Sequence, residues 1–264
     1  MVIGQTGERV DLVVIGGGPG GYSAAIRAAQ LGKNVVLVER GAIGGVCLNH
    51  GCIPSKALLS AAQLVHRARS ASAIGIDADV RLDLARLQAW KRGLVAKLAG
   101  GVRGLLERWG VRVVQGTARF AGERRIAVDA GDDLLFFEFD AAVIATGSAA
   151  VARWPDAGTL TPEAALDLET LPERVAVLGG GYIAAELATA FARFGSEVTL
   201  IAETPLLLPE LDESLSRAVA GGLRRLNAVL HLAAEIETVA AGTITLRTRA
   251  GAQTVSADVV IDAG

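Results

Sequence analysis

Two cysteines stand five residues apart in Gly44-Gly45-Val46-Cys47-Leu48-Asn49-His50-Gly51-Cys52-Ile53-Pro54-Ser55-Lys56, and the 264-residue chain has no others. Thiols this close can join as a disulfide, stay reduced and buried, or supply half of a metal site. The metal reading is the weakest, because no third cysteine exists and the three histidines, His50, His66 and His231, are scattered. A disulfide needs its Cα atoms roughly 4.4–6.8 Å apart, whereas five residues of regular helix rise about 7.5 Å. The link therefore demands a distorted turn, and Gly51 loosens the backbone where that turn must form. Spacing alone leaves buried free thiols open. Pro54 suits the first turn of a helix running to about Val65, which sets Cys52 at the positive helix end and favours its thiolate. Lys56, one turn on, adds positive charge.

A second chemistry is written in glycine. In Gly16-Gly17-Gly18-Pro19-Gly20-Gly21 the dinucleotide-binding spacing falls on Gly16, Gly18 and Gly21. The first permits a tight turn, the second admits a pyrophosphate to the backbone, and the third lets helix and strand approach. Glu39, 23 residues after Gly16, stands where a carboxylate accepts hydrogen bonds from ribose hydroxyls. The pattern returns at Gly179-Gly180-Gly181-Tyr182-Ile183-Ala184, with Gly179 and Gly181 in the first two positions and Ala184 in the third. There the acid position holds Ala202, and Glu203 falls one residue late.

These residues need elements to hold them. The apolar pattern predicts strand Val10 to Ile15, helix Tyr22 to Leu31 and strand Asn34 to Val38 around the first turn. Strand Arg174 to Leu178, helix Tyr182 to Phe194 and strand Glu197 to Ile201 surround the second. Each is a βαβ opening of about 30 residues. Between them, Leu82 to Trp109 has helical periodicity that Gly100, Gly101 and Gly104 could bend or interrupt. Short strands follow at Val111 to Gln115, Thr117 to Phe120, Arg125 to Val128, Leu134 to Phe139 and Ala141 to Ala145. His66 is expected on an exposed helix face and His231 in a strand. The fold expected is α/β, with two Rossmann-like dinucleotide-binding domains over residues 1–148 and 149–264.

Composition narrows the rest. Half the residues are apolar, aromatics are few, and 32 glycines suit Gly-rich turns between Ala/Val/Leu helices. A formal charge of -2, with basic residues dispersed, gives no electrostatic case for nucleic acid or an anionic membrane. The start, read from its residues, is not expected to act as a signal peptide, and no stretch reaches the roughly 18 apolar residues of a membrane span. A cytoplasmic protein is expected, and in a reducing compartment a disulfide is usually catalytic rather than structural.

The strings VVIGGGPGGYSAAIRAAQLG, the strand ending in Glu39, and CLNHGCIPSKALL resemble the start of the dihydrolipoamide dehydrogenases, in the pyridine nucleotide–disulfide oxidoreductase family. The disulfide string is specific to that family; the glycine turn is not. The resemblance, looser beyond about Leu59, extends over the whole chain. It implies that Cys52 is the thiol nearest a bound flavin, forming a charge-transfer thiolate when reduced. Cys47 is then the interchange thiol that meets a disulfide or dithiol substrate. Lys56 is expected at the flavin N5 edge, balanced by Glu186. Val143-Ile144-Ala145-Thr146-Gly147 resembles the family's A-T-G strand end, which places Thr146 and Gly147 at FAD. Tyr182 is expected to cover the nicotinamide pocket, with Gly179, Gly181, Ala184 and Glu203 at the nicotinamide nucleotide.

Departures from the pattern qualify this. Ala184 is a variant associated with NADPH enzymes, yet no Arg follows Ala202 to hold a 2′-phosphate. An acid is near and a base is not, so NAD is expected and NADP is not excluded. The strand Val259 to Asp262 resembles the one on which family chains return to the FAD domain, so the resemblance implies a C-terminally truncated member. It would lack the second FAD segment and the dimerisation domain of a homodimeric family, with that domain's His–Glu acid–base pair. None of His50, His66 or His231 has a Glu five residues later. The expected function is flavin-dependent electron transfer between a small-molecule or lipoyl-carrier dithiol, the Cys47–Cys52 pair, FAD and a nicotinamide nucleotide. The alternatives are a truncated non-catalytic nucleotide-binding module, or a member resembling the mercuric or glutathione reductases or a transhydrogenase.

Overall fold

A computed structural model describes residues 7–264, which divide into two compact units. The first runs through Pro54 and resumes over Arg92–Ala149; the second comprises Ser55–Lys91 and Ala150–Gly264.

In the first unit, β1 (Glu8–Ile15) leads through the glycine turn into α1 (Pro19–Gln30) and then β2 (Val35–Glu39). β1 and β2 pair in parallel, Leu12 opposite Val35 through Ile15 opposite Val38. Val35, Val36, Leu37 and Val38 are all buried, as expected of a parallel strand covered on both faces. The short α2 (Gly45–Asn49) carries Cys47, and α3 (Cys52–Arg69) begins on Cys52. α4 (Leu84–Arg108) starts in the second unit and ends in the first, as one uninterrupted helix of 25 residues. Gly93, Gly100, Gly101 and Gly104 each weaken it by about 1 kcal/mol relative to Ala without breaking it, and an added Cβ at any of them would meet nothing within 4 Å. Those positions face open space and carry no packing role. The unit closes with β3 (Arg112–Gln115), β4 (Thr117–Gly122), β5 (Arg125–Ala130) and β6 (Asp133–Ile144).

These strands form one six-stranded sheet in the order β3-β2-β1-β6-β5-β4. β6 is a single strand of 12 residues where two were expected. Its first half pairs antiparallel with β5 and its second half parallel with β1, from Glu8 opposite Phe137 to Ile15 opposite Ile144. One strand serving two neighbours in succession looks like two strands in sequence, because each half obeys a different burial pattern.

The second unit has its own cores. A short helix, α5 (Pro162–Leu166), precedes β7 (Arg174–Leu178), α6 (Tyr182–Phe194) and β8 (Glu197–Ala202). Then come α7 (Glu213–Arg225), β9 (Val229–Leu232), the hairpin strands β10 (Glu235–Ala240), β11 (Thr243–Thr248) and β12 (Gly251–Ser256), and β13 (Val259–Asp262). The parallel sheet runs β13-β7-β8-β9, and the antiparallel one β10-β11-β12. α6 presses Ala184, Leu187, Ala188 and Phe191 onto Val175, Val177, Val198 and Leu200. Each fully buried Leu or Phe of that set stabilises the unit by about 1.5–3 kcal/mol. On the opposite face Ile236, Val239, Ile244 and Leu246 pack on Ala176, Leu178, Ile201 and Val260. The segment 55–91 completes the unit. Leu58 joins the main core, while Ala62 and Val65 meet Ala190 and Phe194. His66 is half-buried on α3 rather than exposed, since that helix is packed on the turns either side of it.

Buried Lys91 and Gln88 of α4 finish α5. Lys91 Nζ donates to the Leu166 carbonyl and to Asp167 Oδ1 (2.6 Å), and Gln88 Nε2 donates to the carbonyls of Leu166 and Leu168. They satisfy carbonyls that a helix end leaves open. No helix among the described residues is long and apolar enough to cross a membrane.

Candidate functional site

Cys47 and Cys52 are joined as a disulfide with their Cα atoms 4.6 Å apart. The regular helix that forbade this spacing is absent: α2 ends at Asn49, His50 leaves helical geometry at its C-cap (φ -132°, ψ -3°), and α3 restarts at Cys52. Two short-circuited helices therefore bring together residues that one continuous helix would hold apart. Cys52 is exposed and Cys47 half-buried.

What fixes this segment is its contact with the first glycine turn. The Gly44 N–H donates to the Gly17 carbonyl at 2.8 Å. Gly45 (φ +59°) lies so close that an added Cβ would be 2.6 Å from the Gly18 Cα. Gly44-Gly45 is thus the hinge that lays Cys47 beside the dinucleotide turn, a role the sequence did not announce. Asn49 ties the loop further, donating from Nδ2 to the carbonyls of Ile43 and Gly45.

The first turn fits a dinucleotide. At Gly16 (φ +106°) a Cβ would sit 2.2 Å from the Ala145 carbonyl oxygen, so the turn closes only on glycine. At Gly18 the nearest atom is Gly45 Cα at 3.7 Å, which leaves the backbone open to a phosphate at the α1 N-terminus. At Gly21 a Cβ would collide with the Gly16 carbonyl, 1.8 Å away. Glu39 holds the turn from the other side, Oε2 accepting from Gly17 N–H at 2.5 Å and Oε1 from Gly41 N–H at 2.6 Å. Beside it opens a cleft of about 370 Å³ lined by Ile15, Gly16, Glu39, Thr117, Thr146 and Gly147, among others. The expected residues Gly16, Glu39, Thr146 and Gly147 therefore share one cavity wall. Thr117, which also lines it, was not anticipated; as the first residue of an ordinary-looking strand it carries no signal.

In the second unit Lys56 Nζ donates to Glu186 Oε1 at 2.7 Å, and Ser55 Oγ donates to Oε2 at 3.2 Å. The lysine side chain is 61% exposed and the glutamate 31%, so the pair is a partly solvated one. Glu186 reaches it from α6, four residues after Tyr182, whose ring is exposed.

The second glycine turn repeats the first. A Cβ at Gly179 (φ +126°) would meet the Ala263 carbonyl at 2.5 Å, Gly181 has open space, and Ala184 is fully buried against the sheet. The acid differs. Beside Gly180 stand Ala202 Cβ and Thr204 Oγ1 where the first turn has Glu39. Glu203 instead meets Arg153, whose Nη1 and Nη2 donate to its two carboxylate oxygens at 3.1 Å each. The Arg153 N–H is anchored on Asp262 Oδ2 at 2.6 Å. Hydrogen bonding to Glu203 raises the guanidinium pKa further, so Arg153 is permanently charged. A base is thus present where the neighbours of Ala202 offered none, and it comes from 50 residues upstream of its partner. No local pattern could have found it.

The family described as pyridine nucleotide-disulphide oxidoreductase matches residues 10–263. The dihydrolipoyl dehydrogenase of Haloferax volcanii is 43% identical to the chain, over 88% of it and 50% of the relative. The dihydrolipoyl dehydrogenase of Geobacillus stearothermophilus is 39% identical, over 99% of the chain and 57% of the relative. Among solved structures, LpdA from Mycobacterium tuberculosis superposes with a TM-score of 0.84 at 26% identity, covering 97% of this chain and 58% of that one. The Cu(II) complex of the HOCl-induced flavoprotein disulfide reductase RclA from Escherichia coli gives 0.81 at 27% identity, covering 97% and 56%. The chain spans about half the length of the curated relatives it matches.

Proposed function

The chain belongs to the pyridine nucleotide–disulphide oxidoreductase family, and from that premise we propose that it carries the electron relay of a dihydrolipoyl dehydrogenase-like flavoenzyme. One observation bears most of the weight: Cys47 and Cys52 form a disulfide laid by Gly44-Gly45 against a dinucleotide turn. A disulfide in that place can accept two electrons from a dithiol and, once reduced, pass them to a cofactor that the turn holds.

In this reading residues 1–148 are the FAD domain and residues 149–264 the nicotinamide nucleotide domain, with the segment 55–91 of the former packed in the second compact unit. FAD fits the first turn, since Gly18 leaves the backbone open and Glu39 offers a carboxylate beside the cleft. When bound, FAD supplies a two-electron carrier between thiols and nicotinamide. The chain's residues do the rest. A thiolate of the dithiol substrate attacks Cys47 Sγ, breaks the Cys47–Cys52 bond and expels the Cys52 thiolate. The second substrate thiolate attacks the mixed disulfide and frees Cys47, leaving the substrate oxidised and the cysteine pair reduced by two electrons. The α3 N-terminus stabilises the Cys52 thiolate. Lys56, oriented by Glu186 and Ser55, would supply positive charge to a bound flavin, and Tyr182 would cover the nicotinamide pocket. The two electrons leave to NAD or NADP, with one proton released overall.

The substrate is a lipoyl-type dithiol, free or on a carrier protein, handled in the cytoplasm by a homodimer. A thiol count tests the relay. Anaerobic NADH or NADPH added to the FAD-loaded chain should expose two titratable thiols per chain. Thiols that appear with a phosphine reductant but never with either nucleotide would overturn the reading.

A further inference from the structure

We infer that Arg153 is a specificity-determining residue of the nicotinamide nucleotide site, placed to accept a 2′-phosphate on the adenine ribose. The inference rests on the reading of Gly179 to Ala184 as a dinucleotide turn.

In a dinucleotide fold the end of the second strand reads the ribose. A carboxylate there accepts from the 2′-hydroxyl, and a nearby arginine accommodates a 2′-phosphate. The chain contains both versions of that corner. In the first unit Glu39 is the last residue of β2, and its carboxylate bonds the turn itself through Gly17 N–H. In the second unit the last residue of β8 is Ala202, which stacks by Gly180 with Thr204. Leu208 N–H donates to the Gly180 carbonyl at 2.7 Å, so the loop after β8 is fastened onto the turn and fixes where Glu203 stands.

Glu203 is one residue past that strand and is already neutralised. Both of its oxygens accept from the Arg153 fork, and the two side chains are each about half exposed. Arg153 is held from behind by Asp262, at the end of β13, through its backbone N–H. Its side chain runs close to the chain end, for a Cβ added at Gly264 would lie within 4 Å of the Arg153 side chain and of Gly179 Cα. The guanidinium therefore crosses from the β13 strand end over β7 to the end of β8, along the edge where the nucleotide must lie. A ribose whose hydroxyls reach Glu203 puts its 2′ oxygen beside a guanidinium. Unpaired, Glu203 would repel a 2′-phosphate. Paired, its charge is neutralised, and a phosphate that displaces it can take the Arg153 fork bidentately.

The probes are 5′-AMP and 2′,5′-ADP, the adenosine halves of the two nucleotides, titrated calorimetrically into the 264-residue chain at one fixed ionic strength. The wild type should bind 2′,5′-ADP at least as tightly as 5′-AMP. Arg153→Ala should weaken 2′,5′-ADP by tenfold or more while 5′-AMP changes by less than threefold. Arg153→Lys, which keeps the charge and the Asp262 backbone bond, should fall between. Glu203→Gln should tighten 2′,5′-ADP selectively. Unchanged thermal melting of each variant excludes a folding defect. Discrimination between the probes that is untouched by Arg153→Ala, or a wild type that takes 5′-AMP and rejects 2′,5′-ADP, overturns this role and leaves the dinucleotide site standing. A wild type that binds neither probe overturns the dinucleotide reading as well.

Discussion

The two sulfurs are chemically inequivalent because their elements differ. Cys52 is the first residue of an 18-residue helix, whereas Cys47 sits inside a helix of five residues. Thiolate stabilisation by helix N–H groups therefore favours Cys52. In the FAD-loaded chain, Cys52→Ser should abolish the long-wavelength absorbance that follows reduction, and Cys47→Ser should retain or enhance it. The reverse pattern in visible spectra would exchange the two roles. The Lys56–Glu186 pair is partly exposed, so its removal should cost no more than about 1 kcal/mol of stability. Glu186→Gln is accordingly expected to shift Tm by no more than about 4 °C while slowing nucleotide-driven thiol appearance. A stability loss that accounts for the whole kinetic effect would make the pair merely structural.

At the level of elements, the first glycine turn separates what folds the protein from what binds its ligand. Gly16 has a left-handed φ and its missing Cβ would collide with a carbonyl, while Gly18 has room around it. Gly16→Ala should therefore destabilise the chain by about 1–3 kcal/mol in urea titration, and FAD affinity should fall as a consequence. Gly18→Ala should change stability by less than about 1 kcal/mol yet weaken FAD at least tenfold, because the added methyl occupies the phosphate approach. Equal behaviour of the two variants would contradict this division. Both turns were legible from their spacing, since only glycine satisfies such geometry. The continuous α4 and the single long β6 were not. Each helical glycine costs only about 1 kcal/mol, too little to end a helix that is packed at both ends, and one strand shared between a parallel and an antiparallel neighbour shows two patterns in succession.

At the scale of the whole chain, the 264 residues hold a disulfide and two nucleotide turns while spanning about half of the matched relatives' length. Thiol–disulfide exchange also needs a proton donor for the leaving sulfur, and a positioned acid or base contributes about 10²–10⁴-fold. Dihydrolipoamide-dependent reduction of NAD or NADP by this chain should therefore run at least about a hundredfold below that of a full-length relative assayed beside it. Comparable turnover would show that a base lies within these residues. Acid sensitivity is also set by long-range pairing. Hydrogen bonding from Arg174 at the start of β7 holds the Asp258 carboxyl below its usual range. A lowered folded-state pKa contributes stability above the unfolded value, lost as pH falls through the folded one. Asp258→Asn should thus destabilise the chain at neutral pH and converge on the wild type in strong acid, as read by melting temperature across pH.

The sequence by itself determined the two glycine turns, the strands and helices around them and the cysteine pair, because each rests on neighbours within about 30 residues. It also determined that the second ribose corner carries Ala202 in place of an acid. The resemblance already implied the Cys47–Cys52 disulfide; tertiary structure decided how it closes, since the break between α2 and α3 brings the two Cα atoms to 4.6 Å. It also brought Glu186 to Lys56 and Arg153 to Glu203, partners 130 and 50 residues apart in the chain. Charge pairs of that separation leave no periodicity in sequence, because their encounter depends on where packed strands end.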